Sequence, residues 1–290
     1  MKLSVVITTK NESANIANCI RAFDAFRDDV EIIVVDNAST DDTKAIAADL
    51  GATVLDKGPE RSAQRNLGWR TARADWVVVL DADMILPRET VREVLGVVAL
   101  PATSGELCTG RRPLREAKSL ECCAASPKAY WIPEVRTGSG IRVKARNFER
   151  SFYDGTAIDA LRLFHKSVLE ATGGYDENLI AGPEDWELDI RVLATGAKCA
   201  VLKNPLIHNE RQLTLRRMLE KKAYYTKSMA AYQAKWKGHP ALKRQFGLLY
   251  RYFGVFVEHG KWKKLLRHPL LALVMYCERI AVGVTYLLNR

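Results

Sequence analysis

Four short apolar runs alternate with helix-like patterns through the first hundred residues. The runs are LSVVITT (3–9), EIIVVD (31–36), ATVLD (52–56) and WVVVLDAD (76–83). Apolar residues recur at three- and four-residue spacing after Asn11 and Ser13, which are candidate caps of a first helix. Ser39 or Thr40 is the candidate cap of a second helix, and Pro87 suits the first turn of a third. This βαβαβαβ order predicts an α/β fold with a mainly parallel sheet flanked by helices.

Polar residues follow three of these runs at their carboxyl ends. They are Thr8, Thr9, Asn11 and Glu12, then Asp36, Asn37 and Ser39, and finally Asp81 and Asp83. Ligands of open parallel sheets bind outside these ends, so we expect one crevice to collect the groups. Residues two apart on an extended chain share a side, so Asp81 and Asp83 are expected to face one positively charged object. A nucleotide fits the crevice, because Asp36 can accept hydrogen bonds from base or ribose.

The phosphates of such a nucleotide need a partner that the glycine motifs do not supply. Neither GxGxxG nor GxxxxGK[ST] occurs in the chain. Hard cations bind one or two carboxylates together with substrate phosphates, so the Asp81–Ala82–Asp83 stretch predicts a Mg²⁺ or Mn²⁺ site. Mn²⁺ also accepts imidazole, and His208 in LIHNE is the candidate third ligand. A lone histidine is as often structural, and both interpretations stay open on this pattern.

Composition narrows the class of protein. A chain of 290 residues with 48% apolar residues holds one large α/β domain or two smaller ones. Six cysteines show no CxxC or Cys/His ligand spacing, so we expect reduced, buried thiols and no structural zinc. The start, MKLSVVITTKNES, lacks the pattern of an export signal, which predicts a cytoplasmic position.

Six motifs in a fixed order resemble the large inverting glycosyltransferase family 2 with the GT-A fold. They are SVVITTKNE, IIVVDNASTDDT, RSAQRNLGW, VVVLDADMILP, GGYDENL and GPEDWELDIR. The resemblance covers about residues 3–208. It implies a GT-A catalytic domain over 1–208, with a nucleotide-sugar-binding half (1–105) and an acceptor half (106–208), followed by a basic helical C-terminal region (209–290).

The resemblance also implies roles for individual residues. The donor, a UDP- or GDP-sugar, would be bound by Thr8, Thr9, Glu12, Asp36, Arg61, Arg65, Asn66 and Asp81. Asp81 and Asp83 would match the DxD pair, with Asp83 the firmer metal ligand beside His208. A divalent cation, Mn²⁺ or Mg²⁺, would act as Lewis acid on the departing nucleoside diphosphate.

The stretch GPEDWELD (182–189) matches the ED motif of this family. Inverting transfer needs a base that takes a proton from the acceptor hydroxyl, and Asp185 is our choice. Adjacent helical residues point about 100° apart, so only one of Glu184 and Asp185 faces the acceptor directly. Without the family pattern, an ordinary acidic first helical turn would be the preferred interpretation.

Two other classes of protein remain as alternatives. A GT-A-like module that binds a nucleotide sugar or a membrane without turnover should lack Asp83, Asp185 or His208, and all three are present. A sugar-1-phosphate nucleotidyltransferase should carry a Gly-rich loop after its first strand, whereas TTKNESAN contains no glycine. Nucleic-acid binding is not expected, because no zinc-finger or RNA-recognition motif accompanies the basic tail.

The basic charge lies in the tail. Residues 209–290 contain 17 Lys/Arg and 4 Asp/Glu, whereas residues 1–208 contain 27 Lys/Arg and 30 Asp/Glu. We expect the tail to lie on an anionic membrane surface, with Trp262, Lys261, Lys263, Lys264 and Arg267 at headgroup depth. Spanning is disfavoured, because Glu278 and Arg279 sit within the apolar stretch 269–288. The protein would then be peripheral at the inner face of the cell membrane and use a glycan or lipid-linked acceptor. Packing of these helices on the catalytic domain, or a homodimer contact, is the alternative.

Overall fold

A computed structural model of the protein describes residues 1–100, 126–179, 182–209 and 228–288. Strands in this part of the chain form a seven-stranded and a three-stranded sheet. Their bounds are β1 Leu3–Thr9, β2 Val30–Asp36, β3 Thr53–Asp56, β4 Trp76–Asp81, β5 Met84–Ile85, β6 Ala129–Trp131, β7 Glu134–Arg136, β8 Leu161–His165, β9 Cys199–Val201 and β10 Leu206–His208.

Helices surround both sheets and make up the described tail. They are α1 Ile16–Arg21, α2 Thr43–Asp49, α3 Arg61–Thr71, α4 Arg88–Val98, α5 Ile141–Arg150, α6 Lys166–Thr172, α7 Glu184–Ala194, α8 Met229–Lys235, α9 Pro240–Phe246, α10 Val255–Val257, α11 Trp262–Arg267 and α12 Pro269–Leu288. Short 3₁₀ segments occupy Asp24–Phe26 and Glu258–Gly260, and a π-helical turn occupies Tyr250–Gly254.

The large sheet has the strand order β3-β2-β1-β4-β8-β6-β9. The four runs seen in the sequence are its parallel core, because β1 pairs in parallel with both β2 and β4, and β2 with β3. The mainly parallel α/β prediction is therefore confirmed. The other half departs from it, since β8 runs antiparallel to β4 and β6.

Both faces of the large sheet are covered, which explains why its strands are near-continuous apolar runs. Leu3, Val5 and Ile7 of β1 belong to the core on one face, where α1 packs. Val6, between them, belongs to the core on the other face together with Trp69 of α3. Helix α3 comes unusually close to β1, because Gly68 carries no Cβ where the Val6 side chain lies.

The three-stranded sheet has the order β5-β10-β7 and lies beside the end of β4. β10 runs antiparallel to β5 and parallel to β7. Because β5 begins only two residues after β4 ends, the chain between them, Ala82 and Asp83, forms a turn. The expectation that Asp81 and Asp83 share one side of an extended strand is therefore wrong.

The predicted helix caps Asn11, Ser13, Ser39 and Thr40 are also wrong. α1 and α2 begin later, at Ile16 and Thr43, and neither has a side-chain cap bond from its flanking residue. The two loops bond to each other instead: Ser39 Oγ accepts from the Asn11 amide at 2.8 Å, and Asn11 Oδ1 accepts from the Thr40 amide at 2.9 Å. These side chains thus join the ends of β1 and β2.

The C-terminal helices pack on the 126–194 part of the chain. Phe148 and Phe152, at and after the end of α5, form a cluster with Phe256 and Met275 of the tail. A second cluster joins Ile190 of α7 to Tyr232 of α8. The alternative that the tail packs on the catalytic domain is thus confirmed for these helices. The domain boundary near 209 stays a prediction, since 210–227 lies outside the described residues.

Two charged residues that argued against a membrane span, Glu278 and Arg279, instead join α12 to α5. Arg142 donates to Glu278 at 2.7 Å, and Arg279 bonds to Glu149. Within the described residues, no helix combines the length and the apolarity needed to cross a bilayer.

The cysteines agree only in part with the expectation of buried thiols. Cys19 is buried, Cys199 is half-buried and Cys277 is exposed, and all three are free. Cys108, Cys122 and Cys123 lie outside the described residues.

Candidate active site

The candidate site lies at the carboxyl ends of the parallel strands, as the sequence predicted. Thr8 of β1 is the register partner of Asp81 of β4, and Thr9 is that of Asp36 of β2. The first residues of α3 and α7 face the same edge, which brings Arg61 within 3.5 Å of Asp81 and 3.3 Å of Glu184.

Asp81 is held by hydrogen-bond donors on several sides. Its Oδ1 accepts from the Thr8 hydroxyl at 2.9 Å and from Arg65 at 3.1 Å. Burial alone would raise the pKa of the Asp81 carboxyl, but the guanidiniums of Arg65, Arg61 and Arg162 and the Thr8 hydroxyl hold that pKa well below its usual range. Asp81 is therefore an anion whose charge is already shared by arginines.

Arg65 is the centre of the site. Its side chain is fully buried, and its guanidinium donates to Asp185 Oδ1 at 2.7 Å as well as to Asp81. Glu184 Oε1 lies 3.5 Å from the same guanidinium, which stacks 5.1 Å from the ring centre of Tyr175. The planar fork of arginine suits this role, since it can bind two carboxylates in fixed directions. Arg65 thus joins the predicted donor side to the predicted acceptor side.

Glu184 and Asp185 form the first turn of α7 but have different surroundings. The Glu184 side chain is 1% exposed, whereas that of Asp185 is 17% exposed. Burial, followed by the charge of Asp185, raises the pKa of the Glu184 carboxyl despite Arg61 and Arg65 nearby. Asp185 is therefore the more accessible of the two carboxylates, and its role as the base stays a prediction.

Asp83 contacts His208, whereas Asp81 contacts Thr8 and the arginines. Its Oδ2 lies 3.1 Å from His208 Nε2, while His208 Nδ1 lies 2.7 Å from Glu134 Oε1. Burial would lower the pKa of His208, but the hydrogen bonds to Asp83 and Glu134 raise it to about 9. Burial alone would raise the pKa of the Glu134 carboxyl, but the hydrogen bond from His208 and the charge of Arg150 hold that pKa below its usual range.

Three of the predicted donor-binding residues bond to other parts of the protein, and a fourth is buried beside the site. Asp36 is fully buried and accepts from the Ser39 amide at 2.7 Å, and Glu12 accepts from the Asn15 amide group at 2.7 Å. Asn66 joins α3 to the loop after α6 through Tyr175 and Glu177. Thr9 is buried beside the site, and its hydroxyl has no hydrogen-bond partner among the described residues.

Three site residues were given no role by the sequence analysis, although Tyr175 lies within the motif GGYDENL. Arg162 of β8 lies 3.9 Å from Asp185, Tyr175 lies under Arg65, and Glu134 bonds to His208. Within the described residues, three buried polar atoms of the cluster have no hydrogen-bond partner: Arg162 Nη1, Tyr175 OH and Glu184 Oε2. Because buried polar atoms are usually paired, these unpaired atoms indicate a binding site. A charged residue inside the apolar strand LRLFH was the available signal for Arg162.

A divalent cation fits one part of this cluster. No group of three or more His, Cys, Asp or Glu side chains in the described ranges is arranged as a metal site. Asp83 and His208 nevertheless offer one oxygen and one nitrogen 3.1 Å apart. Neighbouring ligands of an octahedral ion with bonds of about 2.1 Å lie about 3.0 Å apart, and such an ion usually takes its other ligands from water and substrate phosphates.

Solved structures of three glycosyltransferases share the fold. A mannosyltransferase from Pyrobaculum calidifontis, in complex with GDP-Man and Mn²⁺, gives a TM-score of 0.57 at 19% identity over 99% of this chain and 80% of that chain. Glucosyl-3-phosphoglycerate synthase from Mycobacterium tuberculosis, with Mn²⁺ and UDP, has a TM-score of 0.54 and 19% identity over 80% of this chain and 79% of that chain. TarS from S. aureus, with UDP-GlcNAc, has a TM-score of 0.52 and 18% identity over 74% of this chain and 60% of that chain. This likeness establishes the GT-A fold.

Sequence comparison gives the family. The profile of glycosyl transferase family 2 matches residues 4–173, more than half of the chain, and the chain belongs to this family. The resemblance seen in its motifs is thereby confirmed. Asp185 and His208 lie beyond the matched residues, so their roles depend on the geometry described above.

Individual relatives match over shorter stretches. An uncharacterised glycosyltransferase of Rickettsia prowazekii is 44% identical over 95 residues, which is 32% of this chain and 32% of that protein. The O-antigen chain rhamnosyltransferase of Salmonella anatum is 23% identical over 197 residues, 66% of this chain and 60% of that protein. The chain thus matches about a third of the length of the Rickettsia relative.

Proposed function

We propose that this chain is a metal-dependent inverting glycosyltransferase that moves a sugar from a UDP- or GDP-sugar to an acceptor hydroxyl during glycan or polysaccharide assembly. The observation that carries this proposal is the buried Arg65, which binds Asp81 at the end of β4 and Asp185 at the start of α7. One side chain therefore fixes the distance between the donor side and the acceptor side, which is what a single displacement at the sugar requires.

The donor would bind along the carboxyl ends of β1, β2 and β4. Arg61 is 33% exposed at the start of α3 and is placed to approach the diphosphate, with Arg65 behind it. Mn²⁺ or Mg²⁺ would be bound by Asp83 and His208, and it would neutralise the diphosphate as it departs. Asp81 would act on the donor through the two arginines that it orients, because its Oδ1 already accepts from Thr8 and Arg65 and its Oδ2 from Arg61.

The acceptor would approach Asp185. Oδ1 of this residue is bound by Arg65, and Oδ2 lies 3.9 Å from Arg162. The arginines orient the carboxylate, so that Oδ2 can receive the proton of the attacking hydroxyl. Glu184 supports this arrangement from a buried position and would not contact the acceptor.

Asp185→Asn tests the assignment. Sugar transfer should fall by about 10²–10⁴-fold, because the amide cannot take the proton, whereas binding of the nucleotide sugar should persist. Glu184→Gln is the matched control one residue earlier. Retained turnover in Asp185→Asn together with its loss in Glu184→Gln would move the base to Glu184. If the intact chain hydrolysed the nucleotide sugar or transferred its sugar equally well in the presence of a chelator, the metal dependence would be refuted.

The exposed face of the tail supports a lipid surface as a partner. Leu266 of α11 and Leu270, Leu273 and Ile280 of α12, together the tail stripe, are 57–71% exposed. Trp262 is 47% exposed beside the Lys263 ammonium, and Arg267 is exposed as well. An apolar helix face bordered by tryptophan and basic residues is typical of helices that lie in the interface of anionic membranes.

Peripheral membrane contact, and with it a lipid-linked acceptor and a cytoplasmic position at the inner face of the cell membrane, therefore belong to this proposal. Two of the lysines expected at headgroup depth have another role, since Lys261 and Lys264 donate to the carbonyls of Phe152 and Ser151. The membrane contact would use the tail stripe, Trp262, Lys263 and Arg267.

Flotation with anionic vesicles tests the membrane contact. The intact chain should float and detach as salt rises, and serine at Leu266, Leu270 and Leu273 should abolish flotation. Serine at three exposed apolar residues outside the tail, Leu100, Leu193 and Val201, is the matched control and should leave it unchanged. Equal flotation of both variants would refute the contact. A dimer in solution that only the tail variant dissociates, without flotation, would instead assign the stripe to a homodimer.

A further inference from the structure

His208 lies between two carboxylates that the small sheet brings to it from opposite sides. In the register of this sheet, β10 pairs His208 with Met84 of β5, next to Asp83, and places Leu206 beside Glu134 of β7. The backbone continues the pairing, since the Asn209 amide donates to the Asp83 carbonyl at 2.8 Å and the Thr137 amide donates to the His208 carbonyl at 3.3 Å. The positions of all three side chains are thus set by strand pairing.

We propose that Glu134 is a positioning residue that holds His208 in the tautomer and orientation required to bind the divalent cation together with Asp83. The inference rests on the proposed metal dependence and adds a residue that the DxD and ED motifs do not contain. A carboxylate only accepts hydrogen bonds, so the 2.7 Å contact places a proton on His208 Nδ1. His208 Nε2, 3.1 Å from Asp83 Oδ2, is then the nitrogen that would bind the cation once the proton it shares with Asp83 has left.

Glu134 is itself fixed in place. Its side chain is 8% exposed, and its second oxygen accepts from Arg150 at 2.9 Å. Arg150 also lies 3.4 Å from Asp159, a residue that is 3% exposed. With one oxygen on His208 and the other on Arg150, the carboxylate cannot rotate without losing a bond. Partners of this kind on ligand histidines typically change metal affinity by 10–100-fold when they are removed.

Glu134→Ala tests the inference through metal binding and not through activity. Mn²⁺ affinity of the full chain, measured by electron paramagnetic resonance with the metal alone, should fall by about 10–100-fold. Glu134→Gln retains an acceptor oxygen and should keep most of the Mn²⁺ affinity. If the alanine variant lost affinity only because it unfolded, the glutamine variant would not be expected to retain it. Should the alanine variant fail to fold, Glu134→Leu fills the volume without an acceptor and is expected to lose affinity equally.

Glu31→Ala is the matched control. Glu31 is 10% exposed and paired with Arg73 at 2.8 Å, much like Glu134 with Arg150, but it lies near the start of β2, at the opposite end of the sheet. Its loss should lower stability and leave Mn²⁺ affinity unchanged. Ring nitrogen shifts of His208, measured by NMR with Mg²⁺, should show a protonated Nδ1 in the intact chain and a mixture of tautomers in Glu134→Ala.

The outcomes separate this inference from the metal dependence on which it rests. Weaker Mn²⁺ binding in His208→Ala, together with unchanged binding in the folded Glu134→Ala or Glu134→Leu variant, would overturn the positioning role alone. Unchanged Mn²⁺ binding in both His208→Ala and Glu134→Ala would remove the histidine from the metal site and overturn the positioning role, whereas the metal dependence itself would be overturned only by activity that is unchanged in chelator. Loss in Glu134→Ala with rescue in Glu134→Gln would support the role proposed here.

Discussion

Replacing Gly68 by alanine should disturb the site from a position that contacts none of its charged groups. Gly68 lies in α3, one turn after Arg65, on the face that packs against β1. A Cβ added there would be 2.2 Å from Val6 Cγ1 and 3.1 Å from Val6 Cγ2. Val6 is fully buried in the middle of β1, so its methyl groups have no free space to enter.

The size of the effect follows from these distances. Ordinary carbon contacts begin near 3.5 Å, so α3 must move away from β1 by about 1 Å or Val6 must leave its preferred rotamer. Overpacking of this kind costs about 1–3 kcal/mol, and the higher helix propensity of alanine offsets about 1 kcal/mol. We expect a net loss of up to about 2 kcal/mol. Donor affinity should fall as well, because the displaced helix carries Arg61 and Arg65.

Urea unfolding followed by circular dichroism measures the loss, and Gly96→Ala is its control. Gly96 is also helical, in α4, but no atom lies within 4 Å of the added Cβ, so this variant should be as stable as the intact chain or more so. Val6→Ala combined with Gly68→Ala should cost clearly less than the sum of the two changes, since each relieves the other. Equal stability of Gly68→Ala and Gly96→Ala would contradict the close packing of α3 on β1.

Two further predictions concern the tail and the pH dependence of folding. Arg279 is 11% exposed and bonds to Glu149 and Tyr153, so Arg279→Met should lower the free energy of unfolding in urea by about 1–3 kcal/mol. Arg142 is 77% exposed, so Arg142→Met should lower it by less than about 1 kcal/mol. Burial raises the pKa of Asp159 to about 6, so its contribution to stability is present below pH ~4 and is lost as pH rises through about 6. Asp159→Asn should therefore unfold at higher urea than the intact chain at pH 8, and the difference should vanish near pH 4; a constant difference would contradict the raised pKa.

The sequence predicted those elements of the fold whose pattern is local. The first four strands and the helices after them follow from apolar runs and helical spacing, and the structure agrees to within a few residues. The antiparallel β8 could not be predicted in this way, because strand direction depends on pairing with β4 and β6 rather than on its own residues. The caps at Asn11 and Ser39 failed for a similar reason, since each side chain bonds to a loop about 28 residues away in sequence.

The site shows the same division between local and distant contacts. Asp81, Asp83 and Asp185 lie in motifs that resemble the family, and the strand-end rule predicted where the first two lie. His208 was proposed separately, because Mn²⁺ accepts an imidazole ligand. Glu134 carries no such signal, because a glutamate in the short stretch WIPEVR could equally be a solvent-exposed residue. Its role appears only when β10 pairs with β7, 70 residues away in the chain. Residues that position other residues are thus harder to find than the groups they position.

The single alanine between Asp81 and Asp83 has a structural consequence that the motif alone conceals. β4 ends at Asp81, and the turn that follows directs Asp83 to a different sheet. The first carboxylate is therefore bound by arginines of α3, while the second meets the histidine of β10. A cation bound to Asp83 and His208 would add positive charge beside the guanidiniums of Arg61 and Arg65, and the diphosphate of a nucleotide sugar could bind both. Donor and cation should accordingly bind more tightly together than either binds alone, because each supplies the charge that the other lacks.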